Sequence, residues 1–119
     1  MNKVGQTQIQ GQKGEDLAAE YLIERGFKML NRNVRTPFGE IDLVCRQGGK
    51  TVFVEVKLRN SKTFGNPEDS VVGNKLHKLT KSIEWYILNN PSIKEYRLDL
   101  IAIEADSRPP KISHLENIE

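Results

Sequence analysis

The chain has 119 residues, 37% of them hydrophobic, and a formal net charge of +2. That is one domain's length, enough to bury a core without staples. One cysteine, Cys45, excludes an internal disulfide framework and a cysteine-rich zinc site. No apolar run approaches the ~20 residues of a membrane helix. The N-terminus MNKVGQTQIQGQKG has no signal-peptide core, so the chain is expected to be soluble and cytoplasmic, with no membrane partner.

Residues 1–11 are polar and aperiodic, and a disordered tail is expected there, before a single domain over 12–119. From about Gly14 to Arg25, Leu17, Ala18, Tyr21 and Leu22 make one apolar helical stripe that Gly26 ends. Glu15 and Asp16 are expected in its first turn, complementing the helix dipole. Glu15 lies seven residues before Leu22, at the border of the stripe, so its carboxylate has a second option: to face the sheet. FKMLNRNV, 27–34, reads as a strand and RTPFG as a turn. Residues 40–46 and 51–58 form a hairpin turning at QGGK. A polar loop, RNSKTFGNP, precedes a second helix, with Pro67, Glu68 and Asp69 near its start. Val72, Leu76, Leu79, Ile83, Tyr86 and Ile87 recur at helical spacing. YRLDLIAIE, 96–104, is a central strand, and KISHLE an expected short edge strand. Helices alternating with strands predict an α/β arrangement in which helices cover a sheet, on one face or both.

Charge is unevenly spread. Arg46 to Lys81 holds eight basic and three acidic residues, while the segment from Asp99 onward is acidic. The middle of the chain is the expected contact for an anionic partner, against the plainer reading of a lysine-rich solvated surface.

The hairpin carries the chemistry. Glu55 and Lys57, two apart on a strand, project together, and Glu40, Asp42 and Val44 share a face of the strand before it. A register pairing Asp42 with Glu55 would make a D-x12-E-x-K constellation. Two carboxylates and a backbone carbonyl, here Val56, suit magnesium or manganese, and Lys57 would stand beside a metal-bound water. The plainer alternative is that Glu55 and Lys57 decorate a wet strand face, where ion pairs contribute little. Arg59, Lys62 and Lys75 are candidate contacts to a nucleic-acid backbone. Trp85 is expected on the outer face of the second helix, His77 and His114 as exposed residues, Cys45 in the core, and Asp99 paired with an arginine.

The runs GEDLAAEYLIERGFKMLNRNVRTPFGEIDLV, VFVEVKLR, FGNPEDSV and RLDLIAIE resemble the YraN-type family of uncharacterised bacterial proteins, which is similar to archaeal Holliday junction resolvases. The resemblance implies a restriction-endonuclease-like fold of the PD-(D/E)xK group, with a mixed central sheet flanked by helices and a metal-dependent phosphodiesterase site. The expected activity is a magnesium- or manganese-dependent nuclease, with DNA favoured over RNA as substrate, branched DNA among the candidates, and a homodimer as the expected assembly. Glu15 matches the first-helix acid, Asp42 the motif aspartate, and Glu55 and Lys57 the E-x-K pair. Ile41 stands where the motif proline would be, and Leu58 where a small polar residue is more usual. Two rival readings remain: a non-catalytic nucleic-acid-binding module of the same fold, and a protein-interaction domain using Trp85.

Overall fold

The computed structural model describes residues 3–59 and 73–118, with side chains described for 14–59 and 75–118. The element order is α1 (Lys3–Glu24), β1 (Lys28–Thr36), β2 (Gly39–Gln47), β3 (Lys50–Arg59), α2 (Gly73–Leu88), β4 (Glu95–Glu104) and β5 (Lys111–Leu115). The strands form one sheet in chain order, β1-β2-β3-β4-β5. Every neighbouring pair is antiparallel except β3 and β4, which are parallel and joined through α2. This is the expected α/β architecture, and the edge strand over KISHL is present.

Helices α1 and α2 lie on opposite faces, a point the sequence left open. Ala18 and Leu22 of α1 pack on Leu43, Cys45, Val52, Val54, Ile101 and Ile103. Leu79 and Ile83 of α2 pack on Val44, Phe53, Leu98 and Leu100. In β3, Val52 and Val54 face α1 while Phe53 faces α2, the period-two alternation of a strand buried on both sides. α1 approaches β3 closely at Gly14, where a Cβ would sit 3.4 Å from Leu58 Cδ1. Leu58, one of the departures from the family pattern, is thus a packing residue beneath α1.

Two expectations change. Helix α1 begins at Lys3, so the segment expected as a disordered tail is helical from that residue. Glutamine and lysine propagate a helix well once a packed segment has nucleated it. Glu15 and Asp16 are therefore mid-helix, and neither complements the dipole from a first turn. The segment containing Lys62, Pro67, Glu68 and Asp69 lies outside the described residues.

Two tight turns frame the sheet ends. Gly48 and Gly49 connect β2 to β3 between the paired Gln47 and Lys50. Gly48 takes φ +59°, the left-handed position that such a turn gives to glycine. Between β1 and β2, Pro37 and Phe38 link the paired Thr36 and Gly39. The Thr36 hydroxyl accepts the N–H groups of Phe38 and Gly39, both at 3.1 Å, and lies 2.8 Å from Ser82 Oγ on α2. Ser82 is fully buried, so this turn is pinned to the helix above it.

Candidate metal centre

The β2–β3 ladder ends at Leu43 opposite Val54. One step further, where Asp42 would face Glu55, the strands part. The pleat of β2 also changes there. Ile41 and Val44, three apart, both join the α2 cluster, while Leu43 and Cys45 face α1. Asp42 consequently points into the gap between the strands, where its Oδ2 accepts the Val56 N–H at 2.8 Å. It does not share a plain strand face with Val44, as period-two alternation predicted.

From the gap, Asp42 meets groups from both faces of the sheet. Its carboxylate lies with those of Glu15 on α1 and Glu40 on β2, one oxygen of each within 4.8 Å of the others. On the α2 side stands Glu55, 8% exposed, a side-chain hydrogen-bond partner of Asp42. Lys57 sits two residues on along the same strand, near enough for its charge to act on Glu55. Val56 enters through its N–H. Because the N–H and C=O of a strand residue turn to the same neighbour, its carbonyl, the expected ligand, faces the same gap.

Electrostatics mark the cluster as overloaded with negative charge. Burial, then the neighbouring Glu55, raises Asp42 from 3.8 to about 7, against the Val56 N–H that holds it down. Burial also raises Glu55, opposed chiefly by Lys75. Glu15 is raised by burial, then by Asp42; the side chain of Asn33 opposes the shift. A cluster of carboxylates resisting ionisation is satisfied by a hard divalent cation with oxygen ligands.

Of the four expected residues, Glu15 and Asp42 meet directly, Glu55 joins them through its bond to Asp42, and Lys57 is linked only through its charge on Glu55. Lys75 reaches the site by pairing with Glu55, Nζ to Oε1 3.4 Å. Arg59 ends β3, its carbonyl accepting the Ala105 N–H at 3.0 Å. Two participants were not among the site residues expected from the sequence. Glu40 had a usable signal, its i, i+2 relation to Asp42. Asn33 had none: it lies opposite Asp42 between the rungs Arg32–Leu43 and Val34–Ile41. Its φ of +52° is a left-handed conformation that asparagine tolerates, and its side chain bonds Glu15.

Away from this centre, His114 is not exposed. Its side chain is 8% exposed, Nε2 lies 2.8 Å from Asp99 Oδ2, and its ring packs on Tyr21 and Phe27. An isolated histidine in sequence has a burial partner here because β5 folds it over β4 onto the α1 face. Asp99, fully buried, is paired with Arg97 at 3.0 Å as expected. Cys45 is a core residue, with burial pushing its thiol up to about 12. His77 is exposed, and Trp85 is half-buried, in neither apolar cluster. Among the described residues, no helix is long and apolar enough to cross a membrane.

A family model described as "Uncharacterised protein family UPF0102" matches residues 14–103. The chain belongs to the UPF0102 family. A UPF0102 protein of Thermodesulfovibrio yellowstonii is 47% identical over 90% of this chain and 92% of its own length. One from Shewanella loihica is 46% identical over 81% and 84%. One from Syntrophomonas wolfei is 42% identical over 87% and 91%. The matched segment spans Glu15, Asn33, Glu40, Asp42, Glu55 and Lys57.

Proposed function

We propose that this UPF0102 protein is a magnesium- or manganese-dependent nuclease that hydrolyses phosphodiester bonds in DNA, branched DNA included. The observation that carries the reading is the meeting of Glu15, Glu40 and Asp42 where β2 and β3 part, with Glu55 bonded to Asp42 and Lys57 two residues further along the same strand. The similarity to restriction-endonuclease-like resolvases, with Glu15, Asp42, Glu55 and Lys57 at the matching positions, supports the same reading.

Asp42, Glu55 and Glu15 would hold the cation, with the Val56 carbonyl turned toward it. The donor set is hard oxygen at the rigid ends of two strands, which fits these metals. Bound there, the cation would activate water and stabilise charge developing on a phosphate oxygen. The chain's own contribution is positioning. The Val56 N–H fixes Asp42, Asn33 fixes Glu15, and β3 holds Lys57 on the Glu55 side to orient the attacking water and neutralise the phosphate. Lys75, Arg59 and Lys62 would contact the DNA backbone.

One observation favours a second reading, a non-catalytic nucleic-acid-binding module. Glu55 is already paired with Lys75, and an ion pair kept in place would leave the metal one carboxylate short. Calorimetry with manganese, run beside cleavage assays on duplex, single-stranded and four-way-junction DNA and on RNA, separates the two. The nuclease binds metal and cuts; metal binding without cleavage of any substrate favours the module; neither sinks the nuclease reading.

A further inference from the structure

The acidic centre opens into a cleft of about 280 Å³ between the β1–β2 turn and α2, lined in part by Phe38, Glu40, Asp42, Glu55, Lys75 and Lys78. A second cavity, of about 440 Å³, adjoins it and is lined by Pro37, Phe38, His77, Lys78 and Lys81. Phe38 and Lys78 line both, so the two form one groove leading outward from the carboxylates. The inner part holds three carboxylates beside Lys75 and Lys78, whereas the charged side chains lining the outer part, among the described residues, are Lys78 and Lys81, with His77 beside them.

Phe38 is the odd residue of this groove. It is a large apolar side chain, 47% exposed, at the tip of a two-residue turn, where a polar residue is the usual occupant. The turn is not loose: Thr36 accepts the N–H of Phe38 itself and is anchored to buried Ser82. The ring is therefore held on a fixed support opposite Lys78 and Lys81. Lys78 and Lys81 are three apart and His77 and Lys81 four apart on α2, so the three share one helix face. A fixed aromatic ring facing a line of cations is the equipment for binding an unpaired strand, which offers a base face to stack and phosphates to neutralise. Cavities of a few hundred Å³ hold a drug-sized ligand; a nucleotide fits, a base-paired duplex does not.

We infer that this groove takes an unpaired strand of nucleic acid, one base stacking on Phe38 and the adjoining phosphates lying along Lys78, Lys81 and His77, with the strand leading toward the carboxylates. The inference rests on the nuclease reading for its direction into the site, but binding can be measured without cleavage.

The test is fluorescence anisotropy with a labelled oligothymidylate and with a blunt duplex of the same length, in chelator. Wild type binds the single strand more tightly than the duplex. Phe38→Ala weakens single-strand binding about 5- to 150-fold and leaves duplex binding within about twofold, the range expected for one lost base–aromatic stack. Phe38→Tyr restores it. Lys78→Ala with Lys81→Ala lowers the salt dependence by roughly 0.7 per phosphate contact removed. Phe38 is exposed, so circular dichroism of Phe38→Ala should match wild type. Single-strand affinity indifferent to Phe38, or a preference for duplex, overturns the inference. A parallel manganese cleavage assay keeps the readings apart. Phe38-dependent binding with no cleavage sinks only the nuclease, and cleavage with Phe38-independent binding sinks only the groove.

Discussion

Asp42 Oδ2 accepts the backbone N–H of Val56 at 2.8 Å, standing in for the backbone carbonyl that a continuous β2–β3 ladder would supply. A side chain makes that bond because the two strands part after Leu43 and Val54, and the N–H left behind cannot stay buried without a partner. The bond also fixes the rotamer of Asp42, so the same parting that costs a rung of sheet aims a carboxylate into the opening. Fold and site are coupled at this one residue.

Removing the charge of Asp42 should stabilise the metal-free protein at neutral pH. Its carboxyl is raised from 3.8 to about 7, chiefly by burial. Between those values the folded state binds more protons than the unfolded state, so stability falls as pH rises through the window. Asp42→Asn keeps an oxygen for the Val56 N–H and abolishes that slope. Chemical denaturation in chelator from about pH 4 to 8 should give a flatter profile for the variant and a higher stability near neutrality. Added manganese should stabilise wild type and leave Asp42→Asn unmoved. A variant less stable than wild type at every pH would mean that Asp42 is a structural ion and not a metal ligand.

Glu55 and Lys57 should separate binding from chemistry. Glu55→Gln removes a ligand charge without changing shape, so manganese affinity falls along with any cleavage. Lys57→Ala leaves the carboxylates in place, so calorimetry should still register the metal while cleavage disappears. Lys75→Ala releases Glu55 from its 3.4 Å ion pair. Stronger metal binding in that variant fits a lysine that yields Glu55 to the cation; unchanged binding would place Glu55 outside the metal's reach.

Asn33 tests how far the support of the site extends. It bonds Glu15 from a left-handed backbone position, so alanine there would combine a lost contact with strain. Glycine removes the side chain and keeps the conformation comfortable. Asn33→Gly should weaken manganese binding about 10- to 100-fold, the usual cost of losing a partner that orients a ligand, with the melting curve nearly unchanged in chelator. Metal affinity equal to wild type would mean that Glu15 needs no such positioning.

The legible part of this molecule was the part governed by local periodicity. β2, β3, α2 and β4 follow from alternation and helical spacing. Departures from period were not legible. Nothing in GEIDLV says that the pleat changes at Asp42, so the sequence reading aimed it at one face and missed why acids from both faces meet there. Asn33 acts through a backbone angle, and Phe38 through a turn pinned to a helix 44 residues later at Ser82; neither leaves a trace in spacing. His114 read as isolated because its partner, Asp99, lies on a neighbouring strand.

The Asp99 cluster should govern acid stability. Burial alone would raise the Asp99 carboxyl. His114, Arg97 and the Asn117 N–H outweigh burial, and its pKa falls below 3.8. A depressed carboxylate contributes stability that is complete above its unfolded pKa and is lost as pH falls through the folded one. The cluster is therefore intact through neutrality and fails only below about pH 4, where protonating Asp99 leaves Arg97 without its 3.0 Å carboxylate and frees the segment carrying Asn117. Asp99→Asn should cost about 3–5 kcal/mol at pH 6, the usual penalty for stripping one member from a buried charged network. Because β5 and Asn117 hang on this carboxylate, the variant should also lose amide-exchange protection first over 111–118. Urea denaturation of both proteins from about pH 2 to 6 should show two curves far apart near pH 6 that converge as acid neutralises Asp99 in wild type. Curves that stay parallel down to pH 2 would mean that the acid limb of this fold is set elsewhere, by carboxylates other than Asp99.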